Sequence, residues 1–125
     1  MLKICNIDMA RVAETAERLE KYEADIVKKL CPSKIILFGS FARGDFNEGS
    51  DIDLAVIGDW RESFLDRIKV LLEMNKYHLP VEPIGYTEQE FKTMQEDGNP
   101  FILEMIETGK VVYEERSARD GAGCG

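Results

Sequence analysis

Two short apolar runs, set close together in the first half of the chain, limit the fold more than any other feature. Lys34-Ile35-Ile36-Leu37-Phe38 is continuous, rich in β-formers and cut off by Gly39, the pattern of a strand buried on both faces. After a polar stretch ending in Asn47-Glu48-Gly49-Ser50, residues 51–57 alternate. Ile52, Leu54 and Val56 fall to one side, and Asp51, Asp53, Ala55 and Ile57 to the other. Strands of this kind need a sheet. A chain of 125 residues has room for one core under two layers of structure but not for a second domain with its own. Every other element must share that sheet.

The remaining elements can be placed around it. From Met9 to about Leu30, apolar Val12, Ala16, Leu19, Ile26, Val27 and Leu30 recur at helical spacing, with Asp8 as N-cap and Pro32 beyond the end. After Gly58, Asp59 and Glu62 suggest a capping box opening a helix to about Tyr77, with Phe64, Leu65, Ile68, Leu71 and Leu72 as its sheet-facing stripe. A strand from Val81 to Tyr86 leads into Thr87-Glu88-Gln89-Glu90, a second capping-box pattern, and a helix carrying Phe91 and Met94. Pro100 begins another helix that stops at Gly109, before a last strand at Val111-Val112-Tyr113. The order is α-β-β-α-β-α-α-β. This is an α/β (α+β) chain with a mixed sheet of about four strands and helices packed on it. Residues 1–115 form the expected domain, and the Gly- and Ala-rich residues 116–125 are expected to be a disordered tail.

Composition removes several classes of function. A formal charge of −8 disfavours direct binding to nucleic acid, which depends on clustered Lys and Arg, and suits a neutral or basic protein partner. No stretch reaches the roughly 20 apolar residues of a membrane span, and the N-terminus lacks the order of a signal peptide, so a cytoplasmic protein is expected. Cys5, Cys31 and Cys124 are odd in number and far apart. They read as buried or surface thiols, not as a disulfide scaffold or a zinc site. Glu14, Glu17, Glu20 and Glu23, mixed with Arg11, Arg18 and Lys21, read as a solvated helix face. His78 reads as a capping or surface residue, and Trp60, Met74, Met94 and Met105 as core or contact residues.

Two constellations carry chemistry. In Phe38-Gly39-Ser40-Phe41-Ala42-Arg43 a buried strand ends in a glycine that lets the backbone approach a ligand. The following amides and the Ser40 hydroxyl suit an anion, and Arg43 falls where its guanidinium fork can clamp a phosphate oxygen. Then Ser50-Asp51-Ile52-Asp53 puts two carboxylates at i and i+2 on one face of a strand. Like charges so placed repel unless a cation sits between them, and magnesium, which shares carboxylate oxygens with substrate phosphates, is the natural one. Taken alone, such a pair reads first as the solvent-facing polar side of an edge strand. Glu82, at the start of the next β-run and beside Pro83, is a third carboxylate. Pro83 limits that strand to an edge or to irregular geometry.

Taken together, Gly-Ser, ten residues, then Asp-x-Asp in GSFARGDFNEGSDIDLAV resembles the signature of the polymerase-beta-type nucleotidyltransferases. Within them it is most similar to the minimal nucleotidyltransferase group, small proteins usually paired with a HEPN-domain partner, over Met9 to about Glu114. The resemblance implies a polymerase-beta-like fold in which Gly39, Ser40, Arg43 and Ser50 bind the nucleotide. It implies that Asp51 and Asp53 hold two magnesium ions, joined by Glu82 where the family more often has aspartate. ATP would be the substrate. The implied role is an antitoxin that transfers AMP to a tyrosine of a HEPN-domain toxin, alone or as a homo- or hetero-oligomer. Alternatives of the same fold are an antitoxin that neutralises by binding alone, and an adenylyltransferase acting on a small molecule such as an aminoglycoside.

Overall fold

The apolar run at residues 34–38 forms the strand its composition dictates, and the rest of the sheet assembles on both sides of it. The computed structural model describes residues 9–39 and 52–115. Its elements are α1 (Met9–Leu30), β1 (Lys34–Phe38), β2 (Ile52–Gly58), α2 (Phe64–Glu73), β3 (Val81–Thr87), α3 (Glu88–Glu96), α4 (Pro100–Thr108) and β4 (Lys110–Glu114). The order of elements is the expected one. Asp8, the predicted N-cap, and the tail at 116–125 lie outside the described residues.

The strands form one four-stranded sheet in the order β3-β2-β1-β4. β1 runs antiparallel to β2 and β4, and β2 runs parallel to β3, so the sheet is mixed as expected. The parallel pair needs a crossover, and α2 supplies it. β1 and β2 are therefore the interior strands. β2, the strand that bears Asp53, is thus not an edge strand; Asp51 lies outside the described residues.

Apolar side chains of the sheet divide between two clusters, one on each face. Ile35, Leu37, Ile52, Leu54 and Val56 pack with Leu19, Tyr22 and Ile26 of α1 and with Leu71 and Met74 at α2. Ile36, Phe38, Ala55 and Ile57 pack with Phe91 of α3 and with Ile102 and Met105 of α4. The core thus occupies both faces of the sheet, one more layer than the sequence reading allowed for. Tyr22, outside the stripe read from the sequence, is fully buried, and its hydroxyl donates to Leu71 O at 2.6 Å. Burial pushes the Tyr22 phenol above its ordinary value.

The crossover helix departs from expectation at its ends and on its face. Its N-cap is Ser63, whose side chain accepts from Asp66 N, and not Asp59 with Glu62. Residues 59–62 instead bring the chain off β2, with Trp60 Nε1 donating back to Val56 O at 3.1 Å. The helix ends at Glu73 with Met74 as C-cap, short of Tyr77. Of the stripe read from the sequence, only Leu71 is fully buried. Phe64, Leu65 and Leu72 are exposed, Leu65 at 74%. The inward face instead carries Arg67, which is 7% exposed. Its guanidinium donates to Glu62 O, to Gly85 O and to both carboxylate oxygens of Glu90, the shortest contact being 2.7 Å. One arginine thereby joins α2, β3 and α3, a role that hydrophobic periodicity cannot signal.

The capping box at Thr87 and Glu90 forms as read, with Glu90 N donating to Thr87 Oγ1 and Thr87 N to Glu90 Oε1, both at 3.0 Å. The hydrogen bond from Arg67 holds the Glu90 carboxyl below its ordinary range. Asn99 caps α4, with Pro100 in its first turn and Gly109 as the stop. Cys31 corrects the reading of free thiols, because it is disulfide-bonded. The chain's other two cysteines, Cys5 and Cys124, lie outside the described residues. Among the described residues no helix is long and apolar enough to cross a membrane.

Candidate functional site

At one end of the sheet, two of the predicted carboxylates, Asp53 and Glu82, stand on neighbouring strands. Phe38, the last residue of β1, stands opposite Asp53 in the antiparallel ladder, and Asp53 stands opposite Glu82 in the parallel one. Register partners in a sheet share a face. Phe38, Asp53 and Glu82 therefore form a row across three strands, on the face that continues inward as Ala55, Ile57, Ile84 and Tyr86. The apolar floor of the row is buried, whereas Asp53 is half-buried and Glu82 exposed. The row thus runs from buried Phe38 to exposed Glu82 above an apolar layer.

Gly39 follows directly from β1 and turns the chain with φ +82°, in the region that disfavours side chains. A Cβ there would stand 2.1 Å from Asp53 Oδ2. The glycine is thus required twice, once for the turn and once to leave room for the Asp53 carboxylate. Ser40, Arg43, Ser50 and Asp51 lie outside the described residues. Glu82 does reach the row from a strand that contains Pro83. β3 is an edge of the sheet, and its ladder to β2 continues through Leu54↔Pro83 to Gly58↔Thr87. The proline sits where an edge strand tolerates it.

Segment 74–80, between α2 and β3, completes the surroundings of the row. Pro80 O accepts from Ile52 N at 2.8 Å, one residue before Asp53. Asn75 bridges the segment: its Nδ2 donates to Leu79 O at 2.8 Å and its Oδ1 accepts from Tyr77 N and Leu79 N, both at 3.2 Å. His78 lies between those two amides at φ +57° and is exposed, a surface residue as read. Tyr77 ties the segment to α1 through a 2.5 Å hydrogen bond from its hydroxyl to Asp25 Oδ2. That bond raises the Tyr77 phenol above its ordinary value.

The whole arrangement is that of a nucleotide-transfer fold, and similarity to known proteins agrees. Residues 16–112 match the family model described as "Nucleotidyltransferase domain", and the chain belongs to that family of enzymes. Three relatives from Methanocaldococcus jannaschii carry the name "Putative protein adenylyltransferase". MJ0604 is 38% identical over 64% of this chain and 77% of its own length. MJ0141 is 30% identical over 58% of this chain and 80% of its own, and MJ1379 is 31% identical over 79% and 94%. In fold, the chain is similar to a crystal structure titled as a "putative nucleotidyltransferase from Sulfolobus solfataricus". The TM-score is 0.51 and the identity 19%, covering 84% of this chain and 82% of that one.

Enzymes of this family generally use a nucleoside triphosphate and a divalent metal. The described residues fit such a group in donor type, with two carboxylates in register beside an apolar layer and a glycine keeping space beside one of them. Among the described residues there is no group of three His, Cys, Asp or Glu able to hold a metal ion. Asp51, the remaining carboxylate of the predicted set, lies outside them.

Proposed function

We propose that this chain is a magnesium-dependent protein adenylyltransferase of the minimal nucleotidyltransferase group, an antitoxin that transfers AMP from ATP to a tyrosine of a HEPN-domain toxin. The observation that carries the reading is the register Asp53↔Glu82, which sets two carboxylates side by side next to the Gly39 turn. The names of the archaeal relatives support a protein as acceptor. Residues 1–115 are the catalytic domain in this reading.

Gly39, Ser40, Arg43 and Ser50 bind the triphosphate, and Asp51, Asp53 and Glu82 ligate two magnesium ions. The bound ions supply charge neutralisation at the triphosphate and a lowered pKa for the attacking hydroxyl. The turn at Gly39 orients the phosphates in line with the acceptor, and Glu82 takes the tyrosine proton. The tyrosine oxygen forms a bond to the α-phosphorus as the bond from that phosphorus to the bridging oxygen breaks, and pyrophosphate leaves.

Incubation with ATP labelled at the α-phosphate, magnesium and a HEPN-domain partner is expected to label the partner. Asp51→Asn combined with Asp53→Asn is expected to abolish the label. Labelling that persists in the double variant would sink the proposal.

A further inference from the structure

We propose that Asn75 is the positioning residue for Glu82. The inference rests on the reading of Asp53 and Glu82 as metal ligands, and it concerns what sets them level. β2 and β3 run parallel, so no tight hairpin fixes their register. A slip of one residue would turn Glu82 to the opposite face and separate it from Asp53. The ladder begins at Ile52↔Val81, and immediately before it Ile52 N donates to Pro80 O at 2.8 Å. Whatever holds Pro80 in place therefore sets the register in which the two carboxylates meet.

Asn75 holds it. A single carboxamide oxygen accepts the amides on both sides of His78, which fixes that residue in the left-handed region, and the same carboxamide donates to Leu79 O. Leu79 O also accepts from Val81 N at 2.9 Å, and the Leu79 side chain is buried in the core. The turn thus passes from Asn75 to buried Leu79, from there to Pro80 O on Ile52 N, and so to Glu82 beside Asp53. No second side chain among the described residues bonds to the backbone of this segment at three points. The Tyr77 side chain anchors the same segment to α1 through its hydroxyl, a contact separate from this path, which uses only the Tyr77 backbone amide.

The test uses the full chain with manganese ion as the probe, in the presence of a non-hydrolysable ATP analogue, and reads metal affinity together with hydrogen exchange at the Ile52 amide. Asn75→Ala is expected to weaken manganese binding about 10- to 100-fold, as loss of an outer-shell support does, and to speed exchange at Ile52. Asn75→Asp keeps the accepting oxygen for both amides but loses the donor to Leu79 O, and is expected to fall between the wild type and Asn75→Ala in both signals. Tyr77→Phe lowers the melting temperature but is expected to leave manganese affinity within about twofold, which a merely structural role for the segment would not allow. Wild-type affinity and exchange in Asn75→Ala, or a loss in Tyr77→Phe as large as in Asn75→Ala, overturns the proposal. Asp53→Asn separates the two ideas: if it binds manganese like the wild type, the metal reading itself falls. If it loses binding while Asn75→Ala does not, only the positioning role falls.

Discussion

Gly39 and Arg67 show how differently two residues can be legible. The glycine was readable because a buried strand that stops on Gly-Ser is a recognisable pattern, and its backbone angle and its contact with Asp53 give the physical reason. Gly39→Ala must adopt a strained angle and displace the Asp53 carboxylate. It is expected to cost about 1–3 kcal/mol of stability and to abolish ATP binding, as urea titration and calorimetry would measure. Arg67 was not readable, since a charged residue inside a helix looks like surface until its partners are known. Its side chain is 8% exposed and that of Glu90 45%. Arg67→Met is expected to destabilise the fold by about 2–3 kcal/mol, the lower end for a broken buried pair because solvent still reaches Glu90. Thermal unfolding checks it.

At the level of elements, strands were placed more accurately than helix faces. Strand alternation has a period of two, so a few residues settle it, and β1 and β2 formed within a residue or so of their reading. The capping box at Thr87 is local chemistry and also formed as read. α2 failed on both counts. Its richest apolar stripe is not the one facing the sheet, because the buried face contains Arg67, and Ser63 outcompetes Asp59 as the cap once residues 59–62 are occupied in leaving β2. The misreading has a direct test. Leu65→Lys, on the exposed stripe, is expected to change stability by no more than about 0.5 kcal/mol, whereas Leu71→Ala should cost about 2–5 kcal/mol. Equal effects in denaturant titration would return the stripe to the core. Of the predicted site residues, Gly39, Asp53 and Glu82 lie among the described residues; the sequence marked Gly39 by its turn and Asp53 by alternation, whereas the register that sets Glu82 beside Asp53 could not be read before the crossover was known. The bracket at Asn75 was not legible either, because an asparagine in a polar connection has no pattern that marks which amides it will bind.

For the molecule as a whole, two acids set opposite slopes of stability with pH. Burial, with repulsion from Glu20 second, pushes Glu23 up from 4.5 to about 7. The folded state then holds a proton that the unfolded chain gives up, so stability falls as pH rises from about 4.5 through 7. Glu90 behaves inversely: its depressed folded value means that its contribution is present above 4.5 and is lost as pH falls through the lower value. Maximal thermal stability is therefore expected on the acid side of neutrality, between the two slopes. Glu23→Gln should flatten the decline towards pH 8 in a series of melting curves and leave the acid limb unchanged. A net charge of −8 adds general repulsion at high pH in the same direction.

The parallel pairing of β2 with β3 also has a consequence in time. The antiparallel pair β1 and β2 can form with the chain up to Gly58 in place, but Glu82 cannot meet Asp53 until residues 59–80 have crossed over the sheet and docked. Contacts that close such long loops form late in folding. A chain still emerging from the ribosome therefore has the segments of β1, Gly39 and β2 before Glu82 arrives. On the proposed reading of Glu82 as a metal ligand, chemical competence is thereby reserved for molecules that have finished folding.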